Sequence, residues 1–118
     1  MTYPTISDVH KDLLSGKTTS RKIVEEYIAR IEEKKSLNAF LEVFSESALK
    51  KADEVDIKLK DKKQGKLAGI VIAIKDNISY KDHKVSASSK ILEGYTSVYS
   101  ATAVERLIAE DAIIIGRT

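Results

Sequence analysis

The sequence predicts an α/β fold, with helices in its N-terminal half and the beginning of a sheet in its C-terminal half. Two short apolar segments, residues 69–75 and 112–115, have the composition of strands that are buried on both faces, as in parallel sheets. A long polar excursion and a helix-like segment separate them, and this order indicates a βαβ-type unit. Before residue 63, apolar residues recur mainly at helical spacing.

Length and composition bound the class of protein. The chain has 118 residues, 42% of them hydrophobic, which is enough for the core of one ordinary domain. A net charge of +2 is too balanced to indicate a nucleic-acid or membrane surface. The chain has no cysteine, which excludes disulfides, thiolate metal sites and a cysteine nucleophile. No apolar run approaches the roughly 20 residues that span a bilayer, so we expect a cytoplasmic protein.

Three helices are predicted in the first half of the chain, over residues 7–15, 19–35 and 46–63. Ser7 can cap the first helix, and residues 18–20 supply capping oxygens for the second. Each segment places its apolar residues on one face at helical spacing. These helices are expected to pack through those faces.

Two features of this half leave alternatives open. Residues 37–44, "LNAFLEVF", are either a strand or an extended segment packed on the core. From Lys50 to Lys66 the third helix and its following turn carry seven lysines and four acidic residues. This pattern is typical of a solvated helix face, and a tRNA contact is the alternative.

The second half contains a long connection and one more helix. Residues 78–100 are polar, and ordered loops of this length are often functional. A helix is predicted to follow, with Thr102 and Glu105 forming a capping box and Ser100 as the competing cap. The final "AIIIGRT" resembles the interior of a domain more than its end, so we expect the chain to be the front part of a longer protein.

Lys75 is the candidate catalytic residue, because it stands at the C-terminal tip of the first predicted strand, where such sheets carry ligand sites. One interpretation is a strand-end lysine whose stem packs while its ammonium reaches water. The other is a lysine kept under cover, whose lowered pKa allows the neutral amine to accept a proton from a serine. Nearby serines are present at positions 86, 88 and 89, but none lies in a nucleophile-elbow motif.

Other candidate sites are weaker. His10 lies in a predicted helix and His83 in a polar loop, and isolated histidines of this kind are usually surface residues. No cluster of histidine and acidic residues has metal-ligand spacing, and no glycine-rich phosphate loop is present.

Three stretches together resemble one known family. "LAGIVIAIKDNI", "SASSKILEGY" and "YSATAVERLIAEDAIIIGRT" are similar to the amidase signature family, and the resemblance extends along the whole chain. Within the family, "ASSKIL" and the helical N-terminus with its "NAF" element resemble the glutaminase subunits of tRNA-dependent amidotransferases.

The resemblance implies a Ser–cisSer–Lys triad in which Lys75 is the lysine. It places both triad serines after Thr118, so this chain by itself is expected to be inactive. Asp76 and Asn77 belong to the same motif, and the resemblance implies a structural role for them around Lys75. Ser88 and Ser89 correspond to a loop near the family's substrate pocket.

The resemblance also implies an architecture and an assembly. Residues 1–118 would be the N-terminal portion of a single amidase domain, an α/β/α sandwich with a mixed central sheet, helical over 1–63 and entering the α/β core at 67–118. The implied partners are amidotransferase subunits B and C in a heterotrimer. The implied substrates are glutamine and, through the assembly, Glu-tRNA(Gln). No cofactor is expected in this chain, and ATP and magnesium are expected in the partner subunit.

Two positions depart from the family pattern, and two other functions remain open. Val71 stands where the family often has proline, and Asp111 stands where the family often has glycine. Glycine adopts a left-handed conformation freely, whereas aspartate does so at some energetic cost. The first alternative function is a general amidase of the same family that acts on a small amide. The second is a non-enzymatic α/β module that binds through its lysine-rich helix.

Overall fold

One mixed sheet organises the computed structural model of the chain, which describes residues 3–118. Its strands are β1 (Glu42–Val43), β2 (Val71–Ile74) and β3 (Ile113–Arg117), in the order β1–β3–β2. β2 runs parallel to β3, and β1 runs antiparallel to it. The predicted α/β class, the mixed sheet and the strand–helix–strand unit are confirmed.

In residues 3–118, four α-helices surround this sheet. The three helices predicted in the first half are confirmed with ends that differ by one to three residues, and the fourth follows the polar excursion. The helices are α1 (Ile6–Leu14), α2 (Ser20–Glu33), α3 (Ser45–Lys60) and α4 (Thr102–Ala109). Met1 and Thr2, part of the predicted helical region, lie outside the described residues. Among residues 3–118, no helix combines the length and the apolar composition needed to cross a membrane.

The sheet is covered on both faces at β3. Ile113 packs into a cluster with Val24 of α2 and Val55 of α3. The next residue, Ile114, packs with Val104 of α4. Because consecutive residues of a strand point to opposite faces, α4 lies on the face opposite α2 and α3. This is the layering of an α/β/α sandwich.

The prediction that both apolar strands are covered on both faces is wrong for β2. Every residue from Ala112 to Ile115 is buried, as predicted for β3. In β2, by contrast, Ile74 is buried, Val71 and Ile72 are half-buried, and Ala73 is exposed. The reason is position in the sheet, since β3 has a strand on each side and β2 lies at an edge.

The starts of α1 and α2 are capped by side chains. Thr5, two residues before the predicted cap Ser7, accepts the N–H of Asp8 at 3.2 Å. At α2 the cap is Thr19, one of the predicted residues 18–20, and its hydroxyl accepts the N–H of Lys22 at 3.2 Å. The carboxylate of Asp56 on α3 also accepts the N–H groups of Ser20 and Arg21 at 2.7 and 3.1 Å, so the start of α2 is joined to α3.

The capping prediction for α4 is wrong. The helix begins after Ala101 without a hydrogen bond from a capping side chain. The hydroxyl of Ser100, the competing cap, instead accepts the N–H of Lys81 at 2.9 Å. Ser100 thus closes the polar excursion and does not start the helix.

Asp111 ends α4 in the left-handed conformation, with φ of 66°. Its N–H donates to Ile108, and the N–H of Ala112 donates to Leu107, which is the double hydrogen-bond pattern of a Schellman motif. A glycine at this position would adopt the conformation freely, whereas an aspartate needs compensation.

The compensation comes from α3 and from the turn that follows it. The buried carboxylate of Asp111 accepts hydrogen bonds from the ammonium of Lys51 at 3.1 Å, from that of Lys58 at 2.6 Å, and from the N–H of Gly65 at 2.8 Å. Burial raises the pKa of Asp111, but these hydrogen bonds outweigh burial and hold the pKa below its ordinary value. Two lysines of the lysine-rich helix therefore form ion pairs with the buried Asp111.

Candidate active site at the carboxyl end of the central strands

Lys75 is the first residue after β2, at the carboxyl end of the strand. Its carbonyl accepts the N–H of Ile78 at 3.0 Å, so the chain turns immediately after it. In α/β sheets, ligand sites lie outside the carboxyl ends of the strands. The position of Lys75 is therefore the one that such a site requires.

The side chain of Lys75 is exposed within residues 3–118. No described residue forms an ion pair or a hydrogen bond with its ammonium. Of the two interpretations, these residues alone show the strand-end lysine with an exposed ammonium, because β2 is an edge strand and nothing in the described part of the chain packs over its end.

Asp76, the next residue, is the most highly connected group at this end of the sheet. It is 3% exposed. Its carboxylate accepts the N–H of Ser86 at 3.0 Å, the hydroxyl of Ser86, and the guanidinium of Arg117. Its backbone N–H donates to the carbonyl of Thr118 at 3.0 Å, and its carbonyl accepts the N–H of Ala87 at 3.0 Å. Asp76 therefore fixes the peptide beside Lys75 from several directions.

The protonation of Asp76 follows from these contacts. Burial raises the pKa of this carboxyl, since a charge is poorly solvated there. The hydrogen bonds from Ser86 and the charge of Arg117 have the opposite effect and together hold the pKa below its ordinary value. Asp76 is thus a carboxylate near neutral pH and serves as a fixed acceptor.

Arg117 extends this connection across the whole sheet. It is the last residue of β3, and its Nε donates to Glu42, the first residue of β1, at 3.1 Å. Burial lowers the pKa of Arg117, but the neighbouring carboxylates of Asp76 and Glu42 raise it above its ordinary value. The chain Asp76–Arg117–Glu42 therefore joins the ends of all three strands at the edge from which Lys75 emerges. We call these three residues the strand-end lock.

The structure brings only one of the three candidate serines to this lock. Ser86 is occupied by its hydrogen bond to Asp76. Ser88 is exposed and Ser89 is half-buried, and neither hydroxyl forms a hydrogen bond within the described chain. Ala87 and Ser88 are consecutive residues with φ of 48° and 57°, a conformation that costs energy without glycine. The segment after Ser86 is therefore held in a defined, strained turn beside Asp76.

Asn77 and the histidines have different surroundings. Asn77 is exposed. His10 lies in α1, as predicted, and its Nε2 is buried without a hydrogen-bond partner. The interpretation of His83 as an isolated surface residue is wrong, because its ring is stacked on Tyr80 with centroids 3.9 Å apart. Within residues 3–118, no three histidine, aspartate or glutamate side chains are grouped as a metal site would require.

The sequence singles out Lys75 as a candidate, but the strand-end lock is not predicted from it. A signal was present, since Asp76 and Arg117 are charged residues that each terminate an apolar strand of one predicted parallel pair. The carboxyl ends of parallel strands meet at one edge of a sheet, so opposite charges there are expected to pair. The role of Glu42 has no such signal, because the sequence predicts "LNAFLEVF" only as either a strand or an extended segment.

The chain is similar to known amidases in sequence. The family model described as Amidase matches residues 22–118. The glutamyl-tRNA(Gln) amidotransferase A subunit of Chlorobaculum parvum is 50% identical over 100% of this chain and 25% of its own length. The protein of the same name from Methanothermobacter thermautotrophicus is 49% identical over 85% of this chain and 22% of its own length.

The fold is also similar to that of a solved amidase. The crystal structure of native peptide amidase from Stenotrophomonas maltophilia superposes with a TM-score of 0.92 at 30% identity. That comparison covers 99% of this chain and 25% of the amidase chain. The chain therefore spans about a quarter of the length of the curated relatives and of the solved structure that it matches.

Proposed function

The chain belongs to the amidase family, and on this premise we propose that it is the N-terminal part of a glutamine-hydrolysing subunit of a tRNA-dependent amidotransferase. The observation that carries the proposal is Lys75, placed at the carboxyl end of β2 and followed by the buried carboxylate of Asp76. The relatives that carry the name of the glutamyl-tRNA(Gln) amidotransferase A subunit support the choice of branch, since they match this chain at 50% and 49% identity.

In the proposed mechanism, Lys75 is the base of a Ser–cisSer–Lys triad. The two serines belong to a part of the protein that follows Thr118 and that packs over the exposed end of β2. This cover would keep water from the amine and let the neutral amine accept a proton through the relay serine. The nucleophilic serine attacks the carboxamide carbon of glutamine, ammonia leaves, and water hydrolyses the resulting ester.

The strand-end lock has a positioning role in this scheme. Asp76 receives four hydrogen bonds through its carboxylate and its backbone carbonyl and donates one through its N–H, so the peptide that carries Lys75 cannot rotate freely. A base must lie within hydrogen-bond reach of the proton it accepts. We assign Asp76 and Arg117 as residues that fix Lys75 in that reach.

The proposal includes an assembly. Subunits B and C would be the partners, in a cytoplasmic heterotrimer. Glu-tRNA(Gln), ATP and magnesium would bind mainly to the partner that amidates the tRNA. Residues 1–118 alone would be inactive, because the nucleophile, the relay serine and the donors that stabilise an oxyanion all lie outside them.

A second candidate is an amidase that acts on a small or peptide amide without tRNA. The likeness to peptide amidase favours it, since the backbone agrees at a TM-score of 0.92. A non-enzymatic tRNA-binding module has less support, because Lys51 and Lys58 of the lysine-rich helix are engaged with Asp111.

Ammonia release from the full-length protein distinguishes these functions. The substrates are glutamine and an amidated dipeptide, each measured with and without subunits B and C. Glutamine hydrolysis that is stimulated by the partner subunits and by Glu-tRNA(Gln) supports the proposal. Partner-independent hydrolysis of the dipeptide amide at a higher rate supports the second candidate, and absence of both activities overturns both candidates.

A further inference from the structure

A serine–histidine pair lies apart from Lys75, where the polar excursion contacts the start of α3. The hydroxyl of Ser47 lies 2.8 Å from Nε2 of His83. Nδ1 of the same ring lies 2.7 Å from the carbonyl oxygen of Lys81. Both side chains are half-buried. We propose that Ser47 is a nucleophile activated by His83 that reacts with small activated acyl esters, a reaction separate from the proposed amidase activity.

The hydrogen-bond geometry fixes which nitrogen carries the proton. A carbonyl oxygen only accepts, so Nδ1 of His83 must be the N–H that donates to Lys81. In the neutral ring, Nε2 then holds a lone pair directed at Ser47, and the serine hydroxyl donates to it. The hydroxyl is also 3.3 Å from the carbonyl of Phe44, but the contact with His83 is the shorter one. This is the arrangement of a nucleophile, a base and a group that orients the base.

Aromatic packing holds the base in place. The ring of His83 is stacked on Tyr80 with centroids 3.9 Å apart and an interplanar angle of 6°. The ring of Phe44 lies 4.3 Å from it at 58°. These contacts hold the plane of the ring, and the hydrogen bond from Nδ1 to the carbonyl of Lys81 keeps its Nε2 edge toward Ser47.

The start of α3 supplies donors for a developing negative charge. Ser47 is the third residue of this 16-residue helix, and the N-cap Phe44 offers no capping side chain. The N–H groups of Ser45, Glu46 and Ser47 therefore have no acceptor among the described residues, whereas that of Ala48 bonds to Phe44. Free N–H groups beside a nucleophile stabilise an oxyanion.

The reaction is balanced with the groups present. Ser47 Oγ forms a bond to the acyl carbon while its proton passes to Nε2 of His83. The ester C–O bond then breaks, and the leaving alcohol or phenol takes that proton from His83. Water hydrolyses the acyl-serine by the reverse sequence.

A small alkyl fluorophosphonate tests the proposal in the full-length protein. Ser47 Oγ would bond to phosphorus, fluoride would leave, and the proton would pass to His83 and then to solvent. Peptide mass spectrometry then reports each labelled serine separately, including any serine of the amidase site. We expect labelling of Ser47 at a rate at least about 10²-fold above that of Ser45, in line with the usual contribution of a general base.

Two variants separate activation from exposure. His83→Phe keeps a ring between Tyr80 and Phe44 but has no Nε2, and it should lower the labelling rate of Ser47 by about 10²-fold or more. Ser36→Ala, at an exposed serine outside this site, should leave that rate unchanged. Equal labelling of Ser47 and Ser45 in the unaltered protein overturns the proposal, and this comparison needs no variant to fold. Undiminished labelling of Ser47 in a folded His83→Phe variant also overturns it.

Discussion

Replacing Asp76 by asparagine removes one charge from the strand-end lock and keeps the size of the side chain. In the native chain this carboxylate accepts two hydrogen bonds from Ser86 and one from Arg117. An asparagine retains one oxygen for these three donors, and its amide group directs further N–H donors toward them. At least one donor is therefore left without a partner in a position that is 3% exposed.

The expected cost follows from these contacts. Hydrogen bonds to a charged group contribute about 1.5–3 kcal/mol, and breaking a buried ion pair costs about 3–5 kcal/mol. Arg117 keeps Glu42 as a partner and its side chain is 14% exposed, which reduces the penalty of an unpaired guanidinium. We therefore expect Asp76→Asn to lower the free energy of unfolding by about 2–4 kcal/mol.

The assay is urea unfolding of the full-length protein, followed by steady-state ammonia release from glutamine. Asp82→Asn is the matched control, because Asp82 is exposed and its φ of 64° suits asparagine equally well. The control should change stability by less than about 0.5 kcal/mol. If Asp76 positions Lys75, its replacement should also lower kcat by about 10²-fold with little change in KM.

Arg117→Met and the double variant measure the ion pair itself. The two single changes should not add, because each removes the same contact. A cost of Asp76→Asn no larger than that of Asp82→Asn would refute the argument. So would full additivity of the Asp76 and Arg117 replacements.

Three further predictions concern other parts of the fold. In urea unfolding, Asp111→Ala should be less stable than Asp111→Gly by about 1 kcal/mol. Both variants lose the contacts with Lys51 and Lys58, but only glycine adopts a φ of 66° without strain. Equal free energies of unfolding would show that the backbone at position 111 is not strained. Gly116→Ala should destabilise by about 1–3 kcal/mol, because the added Cβ would lie 2.5 Å from the carbonyl oxygen of Glu42 on β1; an unchanged unfolding midpoint would mean that β1 is not held there. The pKa values of Asp76 and Asp111 are lowered below 3.8 in the folded chain, so their stabilisation is complete above that pH and is lost as the pH falls through the folded values. With both residues changed to asparagine, the free energy of unfolding should therefore depend less steeply on pH between about pH 5 and 2. An unaltered slope would contradict the lowered pKa values.

The local parts of the fold could be predicted from the sequence. The helices α1, α2 and α3 have apolar residues at a helical period, and β3 is a continuous apolar run. These patterns depend on neighbours in the chain, so they can be read without the tertiary structure. The prediction of β2 as a strand was confirmed for the same reason.

The wrong predictions concern residues whose structure is determined by contacts with residues distant in the sequence. β2 has the composition of a covered strand, yet its burial depends on its position at the edge of the sheet. Ser100 has the chemistry of a helix cap, but its hydroxyl is taken by the N–H of Lys81, 19 residues away. His83 was expected to be isolated, and its contact with Ser47 joins residues 36 positions apart.

The candidate site shows the same division. Lys75 could be selected because a lysine directly follows an apolar strand. The contact of Asp76 with Arg117, 41 residues away, carries a signal in the sequence, because both follow or end strands of one predicted parallel pair. The contact of Asp76 with Ser86 does not, because it depends on the path of the polar excursion, which no pattern in the sequence determines.

The most direct test of Lys75 as the base is ammonia release from glutamine by the full-length protein with Lys75→Met and Lys75→Arg. Methionine keeps the length of the stem without the amine, and arginine keeps the charge but does not give up its proton near neutral pH. Both should lower kcat by about 10²–10⁴-fold, while Lys90→Met, at an exposed lysine of the excursion, should not. Activity within tenfold of the unaltered protein in the Lys75→Met variant would contradict the account.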